Sequence, residues 1–256
     1  MLIGMMPSAP SLKPASPVQN NLTMFHLHFS AEHAEAAVCG EFHLVEVREE
    51  GSMLIKRFVF DNHPHGANSY LVACEETGEA ALFDIGEVAE ELPSFLQEHH
   101  LTLKYLVLTH THTDHVGGLP WLVERFQVPV YWNPKEAPIL QRTAERRQWD
   151  CDPLSLLTHV VLDGTTLSLG TYTFTAYEIA GHTPGGTAFC TDQVALVGDI
   201  LFAGAVGGTP TPEAYARQIQ GIKSKLLPLG DHVRVYSGHG PVTTLGIERL
   251  FNPFLT

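Results

Sequence analysis

Residues 1–20 show neither a two-residue alternation of apolar and polar positions nor a helical stripe, and are rich in Pro, Ser, Ala and Met, so this stretch is expected to be disordered. Short alternating pieces at 24–29 and 42–47 predict added strands separated by an Ala- and Glu-rich turn, which makes 1–52 an N-terminal extension. From residue 53 the pattern becomes regular. Strands are predicted over 54–60, 69–74 and 80–83, then an amphipathic helix over 87–98 and a nearly continuous apolar run over 103–109 of buried-strand type. A helix over 115–126, a strand at 130–132 and a helix over 134–146 follow. The second half repeats the grammar, with strands at 160–162, 166–169, 171–177, 187–190 and 194–197, a helix over 212–226, a strand at 233–236 and a helix over 243–250. Two β-rich halves backed by helices predict one α/β layered domain over 53–256, sheets inside and helices outside.

Composition narrows the partners. Of 256 residues, 44% are hydrophobic and 17% charged, an ordinary globular balance that excludes disorder or coiled coil for the bulk of the chain. Lys plus Arg number 15 against 28 Asp plus Glu, a formal charge of −13 with no basic patch, so nucleic acid is excluded as a partner. Cys39, Cys74, Cys151 and Cys190 are scattered without a Cys-x-x-Cys pair, no signal-peptide pattern opens the chain, and nowhere do 18 apolar residues run together. The expectation is a soluble cytoplasmic protein that does not enter the membrane. The 15 histidines, as many as all the cationic side chains, are the feature that chemistry must explain.

The strongest motif is Thr-His-Thr-His-Thr-Asp-His-Val-Gly-Gly, residues 109–118, directly after the apolar run. Residues two apart in extended chain face the same side, so His110 and His112 point at one ion, while Asp114 and His115, where the chain turns into a helix, reach a second. Three later segments each follow an apolar strand with one candidate ligand in a glycine-bearing turn: His182 in GHTPG, Asp199 in VGD, and His239 in GHGP. In open α/β sheets such strand ends gather ligands at one place. Asp84, in FDIG at the end of an early strand, is a candidate to fix a ligand imidazole, with a turn-capping role as the alternative. His63 and His65 read as exposed loop residues.

These motifs, in this order over about residues 53–256, resemble the metallo-β-lactamase superfamily, and the tail from Leu226-Leu227-Pro228 through Gly238-His239-Gly240-Pro241 resembles its compact glyoxalase II-type hydrolases. The resemblance implies a four-layer αβ/βα sandwich with mixed β-sheets. It implies two divalent metal ions per chain, zinc foremost with iron or manganese as alternatives. His110, His112 and His182 would hold one ion, Asp114, His115 and His239 the other, and Asp199 would bridge them. The implied activity is hydrolysis of a small thioester, S-lactoylglutathione or a related acyl-glutathione, by water activated between the ions, with Asp114 orienting it. A lactone, ester or phosphoester on the same site, or a mono-iron persulfide dioxygenase, are the alternatives. Arg142, Arg146 and Arg147, on the helix after the first motif, are candidates for the carboxylates of glutathione, the alternative being a solvated helix face. Between Phe202 and Pro212 the chain has no arginine, where the subgroup shows one after its Gly-Asp pair. Oligomeric state is not legible.

Overall fold

The computed structural model describes residues 46–50, 52–60 and 66–256, all within one compact unit. The expected loose segment 1–20, the strand expected at 24–29, most of that expected at 42–47, and His63 and His65 lie outside these residues. Among the described residues, the first sheet runs in chain order through β1 (Glu46–Glu50), β2 (Met53–Phe60), β3 (Ala67–Cys74), β4 (Glu79–Phe83), β5 (Thr102–Val107), β6 (Val130–Trp132) and β7 (His159–Val160). Its first pairings are antiparallel and those from β4 to β7 parallel, so the sheet is mixed. Strand β1 precedes residue 53, so the sheet reaches back into the segment read as the extension. The helices between these strands are α1 (Leu92–Glu98), α2 (Thr113–Val116), α3 (Leu119–Phe126) and α4 (Ala137–Arg147).

The second sheet is built from β8 (Thr166–Leu169), β9 (Tyr172–Glu178), β10 (Thr187–Cys190), β11 (Val194–Gly198), β14 (Arg234–Ser237) and β15 (Thr243–Thr244), with a separate ribbon of β12 (Leu201–Phe202) and β13 (Ala205–Val206). It too is mixed, since β11 and β14 run parallel while the other pairs are antiparallel. Helices α5 (Pro212–Gly221) and α6 (Leu245–Phe251) complete the chain, and a π-helical turn, Ile222–Leu226, extends α5.

Strand alternation sorts the core into three seams. On β4, Ala80 and Leu82 pack with α1, α3 and α4 residues such as Leu92, Leu122 and Leu140, while Ala81 and Phe83 face the other sheet. On β11, Val194 and Leu196 meet that inner seam, and Ala195 and Val197 turn outward to Ile222, Leu226 and Leu245. Three apolar seams separate four layers, helix–sheet–sheet–helix. Phe83 sits at the middle, its ring 5.3 Å from that of Phe174 and 5.8 Å from that of Phe189.

Several elements depart from the sequence pattern for identifiable reasons. The helix expected over 87–98 begins only at Leu92, where Pro93 occupies the first turn, the place a helix tolerates proline. The helix expected over 115–126 is broken in two at Gly117 and Gly118. A Cβ on either would lie 2.2 Å from the Gly86 carbonyl oxygen or 2.3 Å from that of Glu87, so this pair exists for close backbone approach. The ribbon β12–β13 was not foreseen. Among the described residues no helix is long and apolar enough to cross a membrane.

Candidate metal centre

The four segments converge at one end of the sandwich. His110 and His112 leave β5, Asp114 and His115 lie on α2, His182 lies between β9 and β10, Asp199 follows β11, and His239 follows β14. Backbone hydrogen bonds tie these turns together across the sheets: Thr187 N–H donates to the Thr109 carbonyl (2.9 Å), Asn68 N–H to that of Gly238 (2.7 Å), and Gly238 N–H to that of Gly198 (2.8 Å).

Donor atoms of His110, His112 and His182 all lie within 4.8 Å of one another, as do those of Asp114, His115 and His239. Asp199 stands between the two sets, with Oδ1 3.4 Å from His115 Nε2 and Oδ2 3.4 Å from both His182 Nε2 and His239 Nε2. Asp114 Oδ2 is 3.2 Å from His239 Nε2 and 3.8 Å from His115 Nε2.

The opposite ring nitrogens show why these atoms point inward. His115 Nδ1 donates to Asp84 Oδ2 (3.0 Å), His182 Nδ1 to the Gly208 carbonyl (2.7 Å), His239 Nδ1 to that of Gly66 (2.5 Å), and His110 Nδ1 meets Thr109 Oγ1 (3.1 Å). With each Nδ1–H committed to an oxygen, Nε2 keeps its lone pair for an ion. His112 is reversed: its Nδ1 lies 2.9 Å from His182 Nε2. A tetrahedral ion with bonds of about 2.0–2.1 Å separates two such nitrogens by about 3.3 Å, so the pair is already close to chelating spacing. His110 Nε2, His115 Nε2 and Asp199 Oδ1 are buried without a hydrogen-bond partner, a costly state for the chain alone and a natural one for atoms that face cations. The donor set therefore fits two divalent ions.

Protonation follows the same logic. Burial pushes His110 well below its ordinary value, and burial with the nearby His182 and His115 takes His112 to about 4, so both are neutral near pH 7. Against burial, which opposes ionisation, the hydrogen bond from His239 and the charge of His115 hold Asp114 at about 2. Against burial likewise, His115 holds Asp199 well below the usual carboxylate range. His115, despite its burial, is raised well above its ordinary value chiefly by Asp199, and His239, also against burial, rises to about 9 through Asp114 and Asp199. In the metal-free chain those two histidines carry protons where ions would sit.

Asp84 joins the turn before His110 to the His115 ring. Its Oδ1 accepts from Thr109 N–H (2.7 Å) and its Oδ2 from the Thr109 hydroxyl (2.7 Å) as well as from His115. Two supporting residues escaped the sequence reading. Glu136, 1% exposed, accepts from Thr111 N–H (3.0 Å) and Gly185 N–H (2.7 Å), joining the first motif to the His182 turn, and Gln218 Oε1 accepts from His182 N–H (2.5 Å). Their only sequence signal is a polar side chain on the otherwise buried face of a helix or helical turn. The arginines divide. Arg142 and Arg146 line a cavity beside His112 and Asp114, whereas Arg147 is engaged by Glu87 and lies over Gly117, outside that cavity's lining. A larger cleft of about 690 Å³ opens on the other side of the donors, walled by Phe202, Ala203, Ala205 and Pro241.

Residues 63–239 match the profile of the Metallo-beta-lactamase superfamily. The hydroxyacylglutathione hydrolase GloC of Haemophilus influenzae is 36% identical over 189 residues, 71% of this chain and 89% of that protein. Among solved structures, BLEG-1 B3 metallo-beta-lactamase superposes with a TM-score of 0.66 at 32% identity over 79% of this chain and 99% of its own. TTHA1623 in a di-iron-bound form superposes with a TM-score of 0.61 at 34% identity, covering 75% and 97%. The shared layers, the matched span and the clustered His and Asp donors agree: the chain belongs to the metallo-beta-lactamase superfamily, whose members bind divalent metals, and is a metallo-hydrolase of that fold.

Proposed function

We propose that this chain is a dinuclear metal-dependent hydrolase of a small thioester, S-lactoylglutathione or a related acyl-glutathione, with zinc as the resident metal. The observation that supports it most is Asp199, a single buried carboxylate whose Oδ2 lies 3.4 Å from a histidine of each donor set, His182 and His239, while its Oδ1 lies 3.4 Å from His115 of the second. The GloC relative supports the choice of bond. His110, His112 and His182 would hold one ion and Asp114, His115 and His239 the other. A bound pair of divalent ions supplies Lewis-acid polarisation of a carbonyl and brings the pKa of water down to about 7.

The protein's own part is positioning and the exclusion of competing water. Asp114, ionised and lining the cleft, would orient the attacking water through its carboxylate. The apolar wall at Phe202, Ala203, Ala205 and Pro241 receives a small acyl group and keeps competing water away. Zinc is the proposed metal because imidazole and carboxylate suit it, and iron is the second candidate because TTHA1623, 34% identical, has been solved in a di-iron form.

Elemental analysis of protein purified without added metal should return close to two ions per chain, and one iron without zinc would favour an oxygenase instead. Rates on S-lactoylglutathione, a lactone panel and a phosphodiester choose the bond. Asp114→Ala should lower kcat/KM on the preferred substrate by about 100-fold or more, the cost of a misplaced attacking water. Parent-level rates in that variant on every substrate would overturn the role given to Asp114.

A further inference from the structure

His112 and Asp114 line two cavities rather than one. The first is the apolar-walled cleft of about 690 Å³, and the second, of about 350 Å³, is bounded by Thr113, Ile139, Arg142, Thr143 and Arg146. The two differ in chemistry. Arg142 and Arg146 are four residues apart on α4, so they project side by side from one helix face. Both are exposed and neither has an ion-pair partner among the described residues, unlike Arg147, Lys135, Lys225 and Arg249, which are paired. The one carboxylate in this lining, Asp114, faces His239 and His115 rather than the arginines.

The helix that carries the arginines is also anchored beside the donors. Thr143, between them on α4, donates its hydroxyl to the Thr111 carbonyl (2.9 Å), and Glu136 at the start of the same helix holds Thr111 N–H. Two unpaired guanidinium groups lining a cavity with His112 and Asp114, on a chain of formal charge −13, form a local cationic site in a repelling field.

We infer that this second cavity is an anion subsite that takes the carboxylate-bearing thiol portion of the substrate, so that the scissile bond lies over His112 and Asp114 with the acyl portion in the apolar cleft. The inference rests on the thioester-hydrolase reading above and adds an orientation and a specificity determinant to it. It also confines the role foreseen for three arginines to Arg142 and Arg146.

The test compares S-lactoylglutathione with the uncharged S-lactoyl-N-acetylcysteamine, in the parent and in Arg142→Ala/Arg146→Ala. The parent should show a KM at least ten-fold lower for the charged ester. The double variant should raise that KM at least ten-fold with kcat within two-fold, and leave the uncharged ester unchanged. Arg142→Lys/Arg146→Lys should recover part of the loss, because charge persists without the planar fork. Equal effects on both esters, or none on the charged one, overturn the subsite while leaving the hydrolase intact. A second readout needs no turnover: S-methylglutathione, which has no thioester, should bind the metal-free parent in calorimetry and not the double variant. If the parent cleaves neither ester, the hydrolase reading falls, and this binding measurement still decides whether the anion site exists.

Discussion

Asp84→Asn replaces a carboxylate by a nearly isosteric amide, and the structure shows why one atom matters. Asp84 is 2% exposed and receives hydrogen bonds on both oxygens, Oδ1 from Thr109 N–H and Oδ2 from the Thr109 hydroxyl and His115 Nδ1–H. An amide offers one acceptor and one donor group, so either orientation leaves a buried donor unsatisfied, at about 1–3 kcal/mol. The backbone is not the cause, because φ at Asp84 is +59°, a left-handed conformation that Asn also tolerates. With the amide NH₂ toward His115, Nδ1 must accept, the imidazole proton moves to Nε2, and the nitrogen meant for the ion is blocked. With the oxygen toward His115, the NH₂ opposes Thr109 N–H and the turn before His110 shifts. Either outcome should lower affinity for one ion by about 10–100-fold, the usual effect of losing a partner behind a ligand. Chelator competition with elemental analysis measures the affinity, and urea unfolding of the metal-free protein measures the stability. A variant that retains two ions within two-fold of the parent's affinity would refute the reasoning.

Two further outcomes follow from the same geometry. Loading metal at pH 7.5 should release close to two protons per chain from the donor side chains, because His239, at about 9, and His115, raised well above its ordinary value, are protonated in the metal-free state, whereas His110 and His112 are already neutral and Asp114 and Asp199 ionised, and most of one more from water brought to a pKa of about 7 by the ions. The sign is that affinity falls as pH drops below 9; titration calorimetry in buffers of different ionisation enthalpy counts the protons, and a count of zero would contradict the assigned charges. Gly238→Ala should displace Asp199, since the new Cβ would lie 2.2 Å from Asp199 Oδ1 and 2.6 Å from His115 Cε1. The expected result is a folded chain, by circular dichroism, that has lost at least one ion, and full occupancy would show that the turn yields more easily than its packing implies.

Much of this was legible because the chemistry is written locally. Six consecutive residues, 110–115, hold four of the candidate donors, and His182, Asp199 and His239 each stand in a glycine turn after an apolar strand. The apolar runs that became β4 and β11 were readable as strands, but which face of each meets which layer was not, since the two faces differ in partner and not in polarity. What could not be read are interactions that local pattern does not encode. Glu136 and Gln218 reach their partners over 25 to 49 residues and look in sequence like ordinary polar positions near helices. The break at Gly117 and Gly118 is set by the backbone of residues 86 and 87, about thirty positions upstream, so a helical stripe continued through it on paper. The three arginines were indistinguishable until Glu87 was found against one of them.

The seam between the sheets has a thermodynamic consequence. Residues 110–115 belong to the half that ends with β7, and His182, Asp199 and His239 to the half that begins with β8. Each proposed ion would draw donors from both halves, so it would act as a rivet through two plates rather than an ornament on one. Free metal at 100 times the dissociation constant adds about 2.7 kcal/mol to the folded state per site. The resistance of the whole molecule to unfolding and proteolysis would then be set by its surroundings, rising and falling with the supply of metal.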